Sequence, residues 1–413
     1  MADLKDHRQI GKELDLFSFN EYAPGAVFWH PNGWFLYQEI MKLIRSILAP
    51  LGYTEIKTPV MVKSDLFKKS GHWQHFGDTN MFNLSIKDDE SESNLYSLKP
   101  MNCPESTLIY NSHPRSYKDL PIRYSDFGTL HRNELSGVLG GLFRVREFTI
   151  DDAHIYARHD QIESIVKELL EMIQNFYKLF GFELNFFLST KPDKALAIEG
   201  QPNLWDEAEA SLKEALTKTG SKFGVKDKDG AFYGPKIDFH MTDSQGRDWQ
   251  LATIQLDFQM PRSLDVQYTK EDGTKEYAVM MHRAMTGSIE RFIGILIEQY
   301  QGNFPLWLSP VQVAILPVSD KFTKYADDAA KVLRKTGIRV SVDSDNKTLG
   351  AKIRETTLQK IPFMCIIGDR EMGGSGDREN IHLSVRTREG KDLGMVSITK
   401  FAGQLQEQIE NKQ

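Results

Sequence analysis

Residues 140 to 156, GGLFRVREFTIDDAHIY, bring arginine, aromatic, aspartate and histidine side chains into one stretch whose other residues favour a strand. Side chains alternate faces along a strand. Arg144, Arg146, Phe148, Ile150, Asp152, His154 and Tyr156 would then share one side, and Val145, Glu147, Thr149, Asp151, Ala153 and Ile155 the other. A face ordered cation, cation, aromatic, aliphatic, acid, imidazole, aromatic is poor core material, because unpaired charge is costly to bury. It suits a ligand with an anionic end, a planar ring and a polar end.

The usual nucleotide signatures are absent: there is no GxxxxGK[ST] loop and no strand-GxGxxG-helix unit. If ATP binds, side chains must hold it. Arg132 and Glu134 in LHRNE, Arg144, and Arg291 in GSIERFIGILIE are the candidates. The planar, permanently charged guanidinium fork can take phosphate oxygens in two-point contact. A lone arginine reads more simply as a surface ion pair. Phe148, two alternations beyond Arg144, adds a stacking surface for a base.

Cys103 sits in LKPMNCPES, read as a loop enforced by two prolines, and His154 lies on the polar strand face. With His282 in VMMHRAMTGS they form a Cys/His/His set, which leaves a zinc ion an open position for substrate. The three are roughly 50 and 130 residues apart, with no compact CxxC or HxxxH pattern. A buried structural thiol with hydrogen-bonded histidines stays open as the other reading. His72 and His75 in SGHWQHFG make no compelling cluster.

Something must position these groups, and at 413 residues the chain is long enough for two or three domains. Composition is globular, 40% hydrophobic and 26% charged. There is no apolar run of the ~18 residues a bilayer span requires, and the start is charged rather than signal-like, so a soluble, cytoplasmic protein without a membrane partner is expected. Two cysteines, Cys103 and Cys365, make no disulfide framework. The net charge of -6 argues against a generic nucleic-acid binder. From residue 306 onward, however, 17 Lys/Arg face 14 Asp/Glu, a net of +3, against 34 and 43, a net of -9, before it. The C-terminal part is the better place for a polyanion to touch.

The two-proline segment GNFPLWLSPVQ, 302 to 312, marks a boundary between residues 1–305 and 306–413. Beyond it strands (VQVAILPV, IRVSVD, PFMCIIG, IHLSVRT) alternate with helices (DKFTKYADDAAKVLRKTG, TLGAKIRETTLQKI, ITKFAGQLQEQIEN), which predicts a small α/β domain with a mixed sheet. Before it, helices at 33–52 and 160–181 interrupt groups of consecutive strands, among them FYGPKIDFHMTDSQGRDWQLATIQLDF. Strands joined by turns such as DSQGRD predict an α+β domain with a mainly antiparallel sheet.

Together these stretches are recognisable. APGAVFWHPNGW with EIKTPVMVKSDLFKKSGHW resembles motif 1 of the class II aminoacyl-tRNA synthetases, with Pro59 as its proline. FGTLHRNELSGVLGGLFRVREFTIDDAHIY resembles motif 2 and MMHRAMTGSIERFIGILIE motif 3, while KPMNCP and YGPKIDF are similar to markers of the threonyl-tRNA synthetases. The motifs stand in order, and the likeness covers nearly the whole chain. It implies an ATP-dependent ligase for L-threonine and threonine tRNA, working as a homodimer. Carried over by position, it places Arg132 at the α-phosphate and substrate carboxylate, Arg291 and Arg144 at the γ-phosphate, Glu134 at the adenine and Phe148 stacked on it. Cys103, His154 and His282 match the family's zinc ligands, and Mg²⁺ accompanies ATP. Asp152 and Tyr233 match positions around the threonine hydroxyl, Gln255 and Lys236 other threonine-pocket positions, and Gln250 and Ser288 other ATP-pocket positions. Asn346, Arg354, Arg370, Glu371 and Arg386 match anticodon-reading positions.

Two departures stand out. Ile150 occupies the place of the family's glutamine beside the substrate carboxylate, and Glu105 and Ser106 replace the more usual glycine and histidine after Pro104. The chain also starts about where many members begin their catalytic domain, so their N-terminal editing region is expected to be missing. A non-catalytic paralog that binds tRNA would be expected to have lost a motif arginine or a metal ligand, and a serine or proline synthetase would not carry the zinc set. Here all of those residues are present.

Overall fold

A computed structural model describes residues 4–87, 93–195, 203–372 and 381–413. The strands that carry the site are β1 (Thr54–Glu55), β2 (Ile122–His131), β3 (Glu147–Ala157), β4 (Asn185–Ser189), β5 (Phe223–Lys226), β6 (Lys236–Thr242), β7 (Asp248–Asp257) and β8 (Val279–Ala284). They form one sheet in the order β5-β4-β6-β7-β8-β3-β2-β1. Pairing is antiparallel from β4 to β2, and only the outermost pairs, β5 with β4 and β1 with β2, are parallel. This is the mainly antiparallel α+β architecture expected.

The long helices form where periodicity placed them. The helix α1 spans Pro31–Leu48, with proline at its first position, where a backbone N–H is not required. The helix α2 is Cys103–Tyr110 and α3 is Ile162–Lys178. The α3 helix buries Ile162, Ile165, Val166, Leu169, Leu170, Met172, Ile173, Phe176 and Tyr177 at three- and four-residue spacing. Just beyond it Gly181 takes φ +75°, the left-handed position that ends a helix most cheaply.

Two expectations near the site need correction. The strand read from residue 140 begins only at Glu147, after a 3-10 turn at Gly141–Phe143. Gly141 takes φ +57°, and the Arg146 N–H donates to the Gly25 carbonyl at 2.7 Å rather than to a sheet neighbour. Arg144 and Arg146 therefore lie outside the ladder, and the alternating face starts at Phe148. Cys103 is also not in a loop: it opens α2, since Pro104 is compatible with a helix's first turn.

In the C-terminal region β9 (Val313–Pro317), β10 (Val340–Val342), β11 (Phe363–Ile367), β12 (His382–Thr387) and β13 (Asp392–Ser397) form a mixed sheet in the order β10-β9-β11-β12-β13. The strands β10, β9 and β11 are parallel, and β12 and β13 add on antiparallel. Helices α4 (Thr323–Lys335), α5 (Leu349–Leu358) and α6 (Ile398–Glu410) follow the predicted alternation. The core joins Val313, Ile315, Cys365, Leu383 and Val385 to Ala326, Ala330, Leu333, Phe401 and Leu405. Strand β13 was not anticipated, because it is a largely exposed edge strand interrupted by Gly394 at φ +74° and pairs through an irregular register.

By internal contacts the chain forms two compact units, one of residues up to Ser18, Phe28–Glu39 and Leu296–Gln413, the other of Phe19–Val27 and Ile40–Ile295. The boundary expected at 305/306 is a single cut in sequence, whereas these units interleave along the chain. Among the described residues no helix is long and apolar enough to cross a membrane.

Candidate active site

Register assembles the polar set. Across the sheet, Tyr124 on β2 pairs with His154 on β3, His154 with His282 on β8, His282 with Gln255 on β7, Gln255 with Lys236 on β6, and Lys236 with Ser189 on β4. Directly opposed residues present their side chains to the same face of a sheet. Residues scattered between Tyr124 and His282 in sequence thus become one transverse row. Along β3 the alternation adds Asp152, Ile150 and Phe148 on that face.

Within this row Cys103, from α2, closes on the two histidines. One ligating atom each of Cys103, His154 and His282 lies within 4.8 Å of the others, and all three residues are buried. Among the described residues, neither ring nitrogen of His154 has a hydrogen-bond partner, nor has His282 Nδ1. His282 Nε2 instead meets Asp257 Oδ2 at 3.1 Å, which orients the ring and leaves Nδ1 for a ligand. Burial pushes the His154 pKa well below the usual imidazole range and so keeps the ring in its neutral, ligating form. Burial also raises the Cys103 thiol, with Asp152 and Glu105 adding to the effect, so a thiolate there needs a compensating cation. One buried sulfur and two buried imidazoles with ring nitrogens left unpartnered among the described residues fit a zinc ion.

Beside this set Asp152 Oδ2 stands 3.5 Å from His154 Nε2 and 3.4 Å from Asn102 Nδ2. Burial raises the Asp152 carboxyl to a pKa of about 7. The Tyr233 ring lies against His282 with centroids 4.6 Å apart, and its hydroxyl donates to Gln255. Lys236 Nζ and Gln250 Nε2 both meet Asp238, at 2.9 and 2.6 Å. Asp238 is itself fully buried, so it sets the positions of both donors.

Further along β3 the face opens into a cavity of about 150 Å³ lined by Arg132, Glu134, Arg144, Phe148, Ile150, Ser288 and Arg291 among others. The Arg132 guanidinium lies 5.1 Å from the Phe148 ring centroid and 5.5 Å from that of Phe76. Arg144 pairs with Glu134 at 2.9 Å. Arg291 Nε donates to the Phe143 carbonyl at 3.0 Å, and its backbone N–H donates to Ser288 Oγ at 3.1 Å. Burial lowers the pKa of both Arg132 and Arg291, and Arg144 adds repulsion at Arg291. Cations held at such a cost are poised for an anion. Every expected ATP-pocket residue except Gln250 lines this cavity. Gln250 is tied instead to Asp238.

Several contributors were not legible in the sequence. His72, which made no compelling cluster there, is buried, with Nε2 3.6 Å from Cys103 Sγ, and burial takes its pKa to about 3. Asp257 orients a pocket residue without belonging to any quoted motif, and Asp238, although inside YGPKIDF, had no role assigned to it. Arg283 pairs with Asp151 at 2.6 Å, and Asp151 accepts from the backbone of Met285 and Thr286, which fixes the turn leading to Ser288. Only their complete burial marks these groups, and burial is a tertiary property.

A model of the class II tRNA synthetase core domain (G, H, P, S and T) matches residues 82–300, and one of the anticodon-binding domain matches residues 312–408. The threonine--tRNA ligase of Legionella pneumophila (strain Corby) is 48% identical over 412 residues, covering 100% of this chain and 62% of that protein. That of Marinobacter nauticus is 47% identical with the same coverage. A crystal structure of the RNA binding domain of threonyl-tRNA synthetase from Cryptosporidium parvum Iowa II superposes with a TM-score of 0.90 at 38% identity, covering 98% of each chain. The chain belongs to the threonyl-tRNA synthetase family. It spans about 62% of the length of the curated relatives it matches.

The anticodon-binding region of this threonyl-tRNA synthetase family member holds the five C-terminal candidates. Asn346, Arg354 and Arg370 are exposed. Arg386 pairs across the sheet with Met364, which packs with Leu349 and Ile353 of α5, the helix that also carries Arg354. Glu371 is buried, and its carboxylate accepts from the Gly368 N–H and the Ser384 hydroxyl. Glu371 is thereby committed to the fold, while the other four keep polar groups outside the core.

Proposed function

We propose that the chain activates L-threonine with ATP, giving threonyl-adenylate and pyrophosphate, and then transfers the acyl group to the 3′ end of threonine tRNA with release of AMP. The observation that carries this reading is the placement, along one strand, of Phe148 and Ile150 in a cationic pocket and of Asp152 and His154 at a Cys/His/His set. Attack of a carboxylate on the α-phosphorus requires no protein nucleophile, so positioning and neutralisation by Arg132 and Arg291, with Mg²⁺ on the phosphates, are sufficient. Phe148 offers the base a stacking surface, Glu134 an acceptor, and Arg144 a further cation. Ser288 borders the nucleotide, whereas Gln250 is held by Asp238 outside that cavity.

Cys103, His154 and His282 would hold zinc. When bound, the metal supplies an open coordination position for the substrate's amino or hydroxyl group. Asp152 accepts from the hydroxyl, with Tyr233, Gln255 and Lys236 closing the pocket around it. A site that must bond a hydroxyl rejects valine strongly, whereas serine loses only about 1 to 3 kcal/mol with its missing methyl. Pyrophosphate exchange with threonine, serine, proline and valine tests the reading. Exchange is expected with threonine, weaker with serine and near background with the other two; no exchange with threonine would sink it and favour a tRNA-binding paralog without catalysis.

We place the functional boundary at 305/306, with Asn346, Arg354, Arg370 and Arg386 reading the anticodon and Glu371 positioning them. The motif 1 resemblance supports a homodimer, for which sedimentation at micromolar concentration should give twice the 47.3 kDa chain mass.

A further inference from the structure

Behind the wall of the ATP pocket stands a group that the proposed reaction does not use. The turn between β6 and β7 is locked by Asp243: its carboxylate accepts from Trp249 Nε1 at 2.7 Å and Arg247 Nε at 2.6 Å, and from the backbone N–H groups of Gln245 and Arg247 at 2.9 Å. Those bonds fix two side chains against Phe143. The Phe143 and Trp249 rings are 4.7 Å apart, and the Arg247 guanidinium lies 5.0 Å from the first and 5.3 Å from the second.

Phe143 is also the residue whose carbonyl holds Arg291 Nε at 3.0 Å. Its ring has no room to retreat, because a Cβ at Gly294 would come within 2.9 Å of it and within 3.1 Å of Leu142. Gly294 stands three residues after Arg291 on the helix Ile289–Tyr300, hence on the same side of it. One helix face therefore presents the phosphate-facing arginine and, one turn on, the slot in which the 3-10 turn Gly141–Phe143 is seated. With Nε committed to the carbonyl, and no hydrogen bond from the two terminal nitrogens of Arg291 among the described residues, those nitrogens can meet a ligand.

We propose that Trp249 and Arg247, braced by Asp243, are positioning residues for the nucleotide: they clamp Phe143, and through its carbonyl set where Arg291 meets the phosphates. The inference rests on the nucleotide reading of the pocket. A misplacement of a charged clamp by even an ångström is enough to cost substantial binding in such sites.

Titration calorimetry of the full chain with Mg·ATP tests it without requiring threonine or tRNA. Trp249→Ala and Arg247→Met should each weaken ATP binding about tenfold or more, and Trp249→Phe, which keeps an aromatic face, should restore most of it. Gly294→Ala should weaken ATP in the same way by displacing Phe143. The decisive comparison is the pair of Trp249→Ala with Arg291→Ala: if the brace acts only through Arg291, the double variant binds no more weakly than Arg291→Ala alone. Wild-type affinity in both Trp249→Ala and Arg247→Met, or losses that add in the double variant, would overturn the proposal. Should Trp249→Ala not fold, Arg247→Met combined with Arg291→Ala carries the same comparison. Absence of ATP binding by the wild type would overturn the nucleotide reading itself, and this inference with it.

Discussion

Among the described residues, neither buried ring nitrogen of His154 has a hydrogen-bond partner, an arrangement a folded protein retains when something else completes it. Elemental analysis should therefore find one zinc per chain, lost in Cys103→Ala together with threonine-dependent exchange; fully active protein without zinc would contradict the metal assignment. Glu105, one of the two departures after Pro104, is buried with neither carboxylate oxygen partnered among the described residues, and burial raises its pKa to about 8 from 4.5. The folded chain keeps a proton there that the unfolded chain releases. Stability from this group is thus present below about pH 4.5 and lost as pH rises to about 8, at up to ~1.4 kcal/mol per pH unit. Glu105→Gln should flatten that part of the melting-temperature profile, and identical profiles for the two proteins would refute the effect. Ile150 reaches the pocket wall as expected, and no carboxylate-binding amide takes its place among the residues lining that cavity.

At the scale of elements, β2, β3 and β8 form the platform, and their approach to α2 depends on Gly128. A Cβ at that position would come within 2.0 Å of Asn102 Oδ1, the amide whose nitrogen meets Asp152. Gly128→Ala should therefore raise the threonine KM severalfold or more through a displaced Asn102 while leaving ATP affinity within about twofold of wild type; equal loss for both substrates would mean general damage to the sheet. The strand β3 was legible because its residues alternate cleanly from Phe148 on. Its start was not, because whether Arg144 and Arg146 join the ladder depends on Gly25, more than a hundred residues away, accepting the Arg146 N–H. Likewise the proline pair around Cys103 reads equally well as a loop or as the first turn of a helix.

For the whole molecule, the two matched regions imply separable tasks. Arg386→Ala should weaken aminoacylation through a higher tRNA KM, by about 1 to 3 kcal/mol if a base contact is lost, without altering pyrophosphate exchange. A parallel loss of exchange would remove Arg386 from anticodon reading and assign it to the fold. Local charge agrees with this division, since the chain is net +3 from residue 306 onward and net -9 ahead of it.

Taken by itself, the sequence determined most of the element types, the two fold classes and the identity of the motif residues, because periodicity, turn chemistry and short motifs are local properties of the chain. Only the tertiary structure decided that His154 and His282 are cross-strand neighbours, that His72 belongs beside Cys103, and that Asp238, Asp257 and Trp249 support the pocket. Register and burial place those residues, and both arise from contacts between segments far apart in sequence, where no local pattern records them.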